Sequence, residues 1–268
     1  MQIRAGFDIR YTCPQPTPML LALSVHPSRL PDVIGPCRIN FDPMIPAYDY
    51  RDGFGNTCTR IVAPAGDLTI WADFQVMDSG LPDPVYPGAM QHRVEDLPDD
   101  VLTYLLGSRY CDTDRLHQTA WGLFGSTPEG WARVQAICDY VHSRVAFGYE
   151  HADATRAASD AHLGCRGVCR DFAHLAVALC RCMNIPARYC TGYLGDIGIP
   201  PVPYPMDFSA WFEAYVGGAW HTFDARHNTP RIGRILMARG RDATDVAITT
   251  TFGPCTLTSF NVTTKVVA

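Results

Sequence analysis

Between Gly167 and Pro186 the chain carries one uninterrupted helical pattern, and that pattern opens on a cysteine. Phe172, Leu175, Ala176, Leu179 and Met183 recur at the three-and-four spacing that places side chains on one helix face. Arg166 and Gly167 read as a turn before it, and Pro186 ends it. A helix with such an apolar face must be covered by a sheet or by other helices. Cys169 then lies at the helix N-terminus or within one turn of it. Unpaired N–H groups and the helix dipole favour negative charge there, so the position predicts a lowered thiol pKa and a nucleophile. The competing reading is a small apolar residue under a helix start, because most free cysteines are buried and inert.

The segments on either side are strand-like. Gly6 to Tyr11 and Thr69 to Met77 alternate with period two, and Leu20 to Val25 is an apolar run. Gly- and Pro-rich turns separate them, which suggests an antiparallel, sandwich-like arrangement. A proline-rich linker covers Ser79 to Gln91, and helices are expected over Asp96–Gly107 and Pro128–Val145. After the cysteine helix, strands are expected over Ala187–Leu194, Phe208–Val216 and Ala219–Asp224, with Gly217-Gly218 as a hairpin turn. Later strands fit Asp245–Phe252 and Leu257–Val267, and the prolines between Gly198 and Pro205 suggest a cleft rim. The fold class is therefore α+β: a β-rich N-terminal domain over residues 1–88, a helical linker over 89–127, and a core over 128–268.

Composition excludes several functions. The chain has 268 residues, 18% of them charged, a net charge of −5 and no Lys/Arg block, so neither a nucleic acid nor a membrane surface is an expected partner. No apolar stretch approaches the ~20 residues that span a bilayer. The N-terminus has no apolar signal-type region, so a cytoplasmic location is expected. Eleven cysteines, an odd number, then read as free thiols in a reducing compartment. No CxxC pair is present, so neither a metal nor a cofactor is expected.

Thiol-based acyl transfer needs a base within reach of the sulfur and a group that orients the base. The hairpin after the helix is the natural source of both. Period two puts Ser209, Trp211, Glu213 and Tyr215 on one face of its first strand, and Asp224 ends the second. Arg188 and Glu213 can pair across the sheet. Arg226, Arg231, Arg234, Arg239 and Arg241 cluster beyond the hairpin and read as an anion site or a solvated face.

Four ordered motifs carry a resemblance. They are Arg166-Gly167-Val168-Cys169-Arg170-Asp171-Phe172-Ala173-His174, Pro186–Tyr193, Ala210-Trp211-Phe212-Glu213-Ala214-Tyr215 and Thr222-Phe223-Asp224. Together they resemble the core of bacterial transglutaminase-like proteins, over about Trp131 to Phe252, and the preceding strands are similar to the β-rich domain that often accompanies it. The resemblance implies a papain-like nucleophile helix packed on an antiparallel sheet. It also implies a cysteine that attacks an amide, a histidine base and an orienting aspartate. Cys169 matches the nucleophile and Asp224 the orienting acid.

Ser209 stands where the family has its base histidine, and a hydroxyl cannot serve as that base near neutral pH. His227, three residues past Asp224, is the first replacement, and His151 is the alternative. His174 is tilted away down the helix, and His221 points to the wrong strand face. Tyr149 and Trp211 are the candidate substrate-binding side chains. The resulting expectation is an amide hydrolase or acyl transferase working through a Cys169 thioester on a peptide or protein amide, with self-association left open. The alternative is a binding module that kept the fold and lost the base.

Overall fold

The computed structural model describes residues 1–201 and 206–267, so the expected proline-rich rim lies partly outside the described residues. The first third runs β1 (Gln2–Cys13), β2 (Thr17–Leu21), β3 (Val33–Ile34), β4 (Asn40–Asp42), β5 (Ala47–Arg51), β6 (Thr57–Ala63) and β7 (Gly66–Met77). Four helices, α1 (Asp99–Leu102), α2 (Thr113–Phe124), α3 (Trp131–Arg144) and α4 (Ala158–Gly164), lead to α5 (Cys169–Cys182). Two short strands, β8 (Ala146–Phe147) and β9 (Arg166–Gly167), pair in parallel just ahead of α5. The chain then forms β10 (Ala187–Tyr193), β11 (Ser209–Val216), β12 (Ala219–Phe223), β13 (Ile235–Gly240), β14 (Thr249–Thr251) and β15 (Thr256–Val266).

Alternation decides the first two sheets. In β7, Leu68, Ile70, Ala72, Phe74 and Val76 are buried, while Trp71, Asp73 and Gln75 face out. One sheet has the order β15-β1-β7-β3, with β4 also on β7; the other has the order β14-β2-β6-β5. Their apolar faces share one core, including Ile3, Ile9, Met19, Leu21, Ile61 and Ile70.

Two expectations need correction here. The boundary at residue 128 assigned the whole C-terminal half to the core, but β14 and β15 return to the N-terminal sheets. β1 needed a second partner to avoid an open edge, and β15 supplies it. That pairing also overturns the reading of every cysteine as a free thiol. Thr12 and Thr256 are register partners, so Cys13 and Cys255 fall opposite each other and form a disulfide with Cα atoms 4.4 Å apart. The remaining nine cysteines are free.

α5 is the axis of the second half. Its apolar stripe suggested one covered face, yet every residue from Asp171 to Cys182 is buried. β10 and β11 pack on one side, and α2, α3 and α4 surround the rest. The polar residues of α5 tolerate this because they find partners inside. Arg181 donates to the carbonyls of Ala187, Leu106 and Arg241, and His174 Nε2 accepts the Ala243 N–H at 3.1 Å.

The sheet beneath α5 has the order β12-β11-β10-β13. Gly217 and Gly218, at φ +62° and +79°, make the expected two-residue turn between β11 and β12. Arg188 and Glu213 stand directly opposite and pair at 2.5 Å. Phe212, Ala214 and Val216 of β11 face the core around α5, and Ala210 packs near Cys169. The stretch that forms β13 drew notice in the sequence only for Arg239. Gly192 lets β13 come close to β10, because a Cβ there would lie 2.1 Å from the Ile235 carbonyl oxygen. Gly192→Ala is therefore expected to force the two strands apart and cost about 1–3 kcal/mol, read as a lower denaturation midpoint.

Candidate active site

The start of α5 is fixed by one acid. Asp171 Oδ2 accepts the Val168 N–H at 2.9 Å and the Arg156 guanidinium at 3.2 Å. Gly167 makes room for it, since a Cβ there would lie 2.6 Å from the Asp171 side chain. Asp171 thus acts as a helix-start partner, and Cys169, two residues before it, is the first helical residue.

Cys169 is half-buried and opens onto a cavity of about 510 Å³. Tyr149, Val168, Tyr189, Phe208, Ala210, Ile248 and Phe260 give this cavity an apolar lining, and Asp153, Arg170, Thr191 and Asp207 add polar groups. The sulfur lies 4.0 Å from the Phe208 carbonyl oxygen. The expectation of a lowered thiol pKa is corrected: burial pushes the Cys169 thiol up to about 11. The Arg226 cation works against this, and Asp207 and Asp224 add to it. Desolvation of the sulfur outweighs the groups that favour the thiolate, so the resting form is the neutral thiol.

Asp224 sits at the end of β12 and is buried. Its Oδ1 accepts the backbone N–H groups of Arg226 and His227, both at 3.0 Å. Its Oδ2 accepts His227 Nδ1 and the Arg234 guanidinium, both at 2.8 Å. Burial alone would push this carboxyl up, but Arg234 and His227 outweigh it and hold it well below the usual carboxylate range. Arg234 also bonds Asp83 at 2.8 Å and stacks 5.0 Å over the Trp211 ring.

The structure brings Asp224 and His227 together and places Tyr149 in the cavity with Cys169. Trp211 is elsewhere: it is buried against Cys190 and Leu236 and is not among the cavity-lining residues. The reason is parity, since Ala210 faces Cys169 and the next residue along the strand faces the other way. Ser209 is buried, and its carbonyl accepts the Thr191 hydroxyl at 3.3 Å. His227 and His151 are likewise not among the cavity-lining residues, and His151 Nε2 lies 3.7 Å from Glu150. His174 is fully buried beside Tyr110 and Tyr189, and burial lowers its pKa to about 3. His221 packs against Tyr86 and Trp131.

The arginine cluster is largely internal wiring and not an anion site. Arg231 donates to the Gly195 carbonyl, Arg234 bridges Asp83 and Asp224, and Arg241 pairs with Asp245. Arg226 is the member that acts on the thiol; its guanidinium lies 3.8 Å over the Phe147 ring. Asp207 escaped notice in the sequence. Its only signal was an acid two residues before Ser209, in a loop entering the strand beside Cys169.

A cysteine begins a buried helix, which packs on an antiparallel sheet whose hairpin ends in a buried aspartate. The chain belongs to the transglutaminase-like superfamily, whose model matches residues 119–225. It is similar over 99% of its length to the crystal structure of a candidate cysteine protease from Cytophaga hutchinsonii, with 32% identity, a TM-score of 0.81 and 90% of that chain covered. An uncharacterized protein of Mycobacterium leprae is 28% identical over 219 residues, spanning 78% of this chain and 77% of the relative.

Two outcomes follow from these energetics. A carboxyl depressed in the folded state adds stability above its unfolded pKa of about 4, and this is lost as pH falls through the folded value. Arg234→Met removes the main compensation, so it is expected to cost about 3–5 kcal/mol at pH 7 and to flatten the acid side of the stability curve below about pH 4, measured by urea unfolding at several pH values. For the thiol, iodoacetamide labelling mapped to Cys169 should keep rising about tenfold per pH unit through pH 9 to 10. It should not level off near 8.5, where a free thiol does.

Proposed function

We propose that the protein is a thiol-dependent amide hydrolase acting on peptide or protein amides, with Cys169 as nucleophile and no cofactor. The observation that carries this reading is the Cys169 sulfur at the start of α5, opening onto a largely apolar cavity large enough for a side chain and its flanking amide. The thiol loses its proton as the sulfur attacks the amide carbon, and a tetrahedral oxyanion forms. The backbone N–H of Cys169 is the donor assigned to that oxyanion. Collapse expels the amine and leaves a thioester, which water hydrolyses; an amine in place of water would give transfer. The membership of the superfamily and the resemblance to a candidate cysteine protease support this chemistry.

His227 is the base in this proposal, and the Asp224 hydrogen bond to its Nδ1 supports the assignment. That bond leaves Nε2 as the basic nitrogen, which has no partner among the described residues. Catalytic contacts are commonly long in a free enzyme and tighten with substrate, so a base outside the resting cavity lining is compatible with the role. The second reading, a binding module with an idle thiol, is favoured by the rise of the thiol pKa to about 11. The proposed compartment is the cytoplasm, supported by the nine free cysteines; the single disulfide is the observation against it. Among the described residues no helix is long and apolar enough to cross a membrane.

The test is hydrolysis of a fluorescently quenched casein, with mass spectrometry of acid-quenched samples for an acyl adduct on Cys169. Cys169→Ala should abolish turnover and adduct, and His227→Ala should lower the rate about 10²–10⁴-fold, the usual contribution of a positioned base. Turnover unchanged in Cys169→Ala would overturn the hydrolase reading. An unchanged rate in His227→Ala would remove that residue from the base role.

A further inference from the structure

Asp207 lines the same cavity as Cys169 and immediately precedes Phe208, whose carbonyl oxygen is 4.0 Å from the sulfur. One of its carboxylate oxygens accepts the Phe208 N–H at 2.6 Å, and it forms no ion pair among the described residues. Most of the surrounding wall is apolar: Tyr149, Tyr189, Phe208, Ala210, Ile248 and Phe260. The other charged groups at the site have partners of their own, although the buried Arg170 Nε has no hydrogen-bond partner among the described residues. Arg170 donates to the Asp153 carbonyl and lies against Asp171, and Asp153 accepts both the N–H and the hydroxyl of Thr155. Arg226, the cation that opposes Asp207, stacks on Phe147 and is not among the cavity-lining residues. Asp224 is saturated by Arg234, His227 and two backbone N–H groups.

A carboxylate with no ion pair among the described residues, offset only through space by Arg226, favours a cation in a mostly apolar pocket. We propose that Asp207 makes the Cys169 cleft select ligands carrying an ammonium or guanidinium group, so that the amides it cleaves have such a group next to the reacting carbon. This rests on the hydrolase reading and names its substrate class. Burial raises the Asp207 carboxyl above its ordinary value, and a bound cation would oppose that shift and restore the charged form.

Charged methanethiosulfonates of matched size test the selection without knowledge of the natural substrate. The Cys169 thiolate attacks the sulfenyl sulfur of the reagent, a mixed disulfide forms, and methanesulfinate leaves. The rate at Cys169, mapped by mass spectrometry, is measured for the trimethylammonioethyl and the sulfonatoethyl reagents. Each rate is divided by that of free cysteine. The cation-to-anion ratio is expected to exceed that of free cysteine about tenfold or more, the range by which a charged cleft concentrates a ligand of opposite sign. Asp207→Asn keeps the acceptor for the Phe208 N–H and should return the ratio to within about threefold of free cysteine, as the cleft loses the negative charge of Asp207. A wild-type ratio equal to that of free cysteine overturns the proposal, and so does an elevated ratio that survives Asp207→Asn. The two failures are separable. A flat ratio rejects charge selection whatever the activity of Cys169→Ala, whereas casein turnover that survives Cys169→Ala rejects the hydrolase reading alone.

Discussion

The buried carboxylate of Asp224 is the constraint on which the second half of this protein depends. Four donors converge on it: two backbone N–H groups, an imidazole nitrogen and a guanidinium. A charge removed from water is tolerated only when its acceptor sites are filled, and here they are. The consequence reaches well beyond the carboxylate. The two backbone bonds shape the turn that holds Arg226 and His227, and Arg234 extends the network to Asp83 in the segment that follows the N-terminal sheets. One ionised group thereby joins the hairpin, the strand beyond it and the linker ahead of the helices.

The Cys169 thiol obeys the opposite balance. Loss of hydration is the largest influence on the Cys169 sulfur, and it prevails over the Arg226 cation and the Ala210 N–H, which favour the thiolate. Helix-dipole effects are modest and confined to the terminal turn, whereas removal of a thiolate from water costs more with each wall residue added. The same walls give the site its cavity. A pocket that excludes water enough to bind an apolar segment also keeps its thiol protonated until something takes the proton.

Much of the fold was legible because period and punctuation are local. The alternation of β7, the helix over 169–182, the Gly217-Gly218 turn and the facing of Arg188 and Glu213 all follow from spacing along short stretches. The site was legible in part. Cys169, Asp224, His227 and Tyr149 were marked by motif or sequence neighbourhood, and the structure joins Asp224 to His227 and Tyr149 to the cavity of Cys169. Trp211 was misplaced because two residues of equal prominence, Ala210 and Trp211, lie on opposite faces, and their sequence does not say which face meets the helix. Asp207 was missed because an acid in a loop carries no periodic signal.

What the sequence alone determined is many of the elements and the residue types that could do chemistry, since both are written in patterns a few residues long. The tertiary structure decided the rest. It sent β14 and β15 back to the N-terminal sheets and brought Cys13 to Cys255. It also raised the thiol pKa and left Asp207 with no ion pair among the described residues. Each of these is a property of groups far apart in the chain. Desolvation and charge act through space, so their sign at any one atom is fixed only when distant segments have been packed around it.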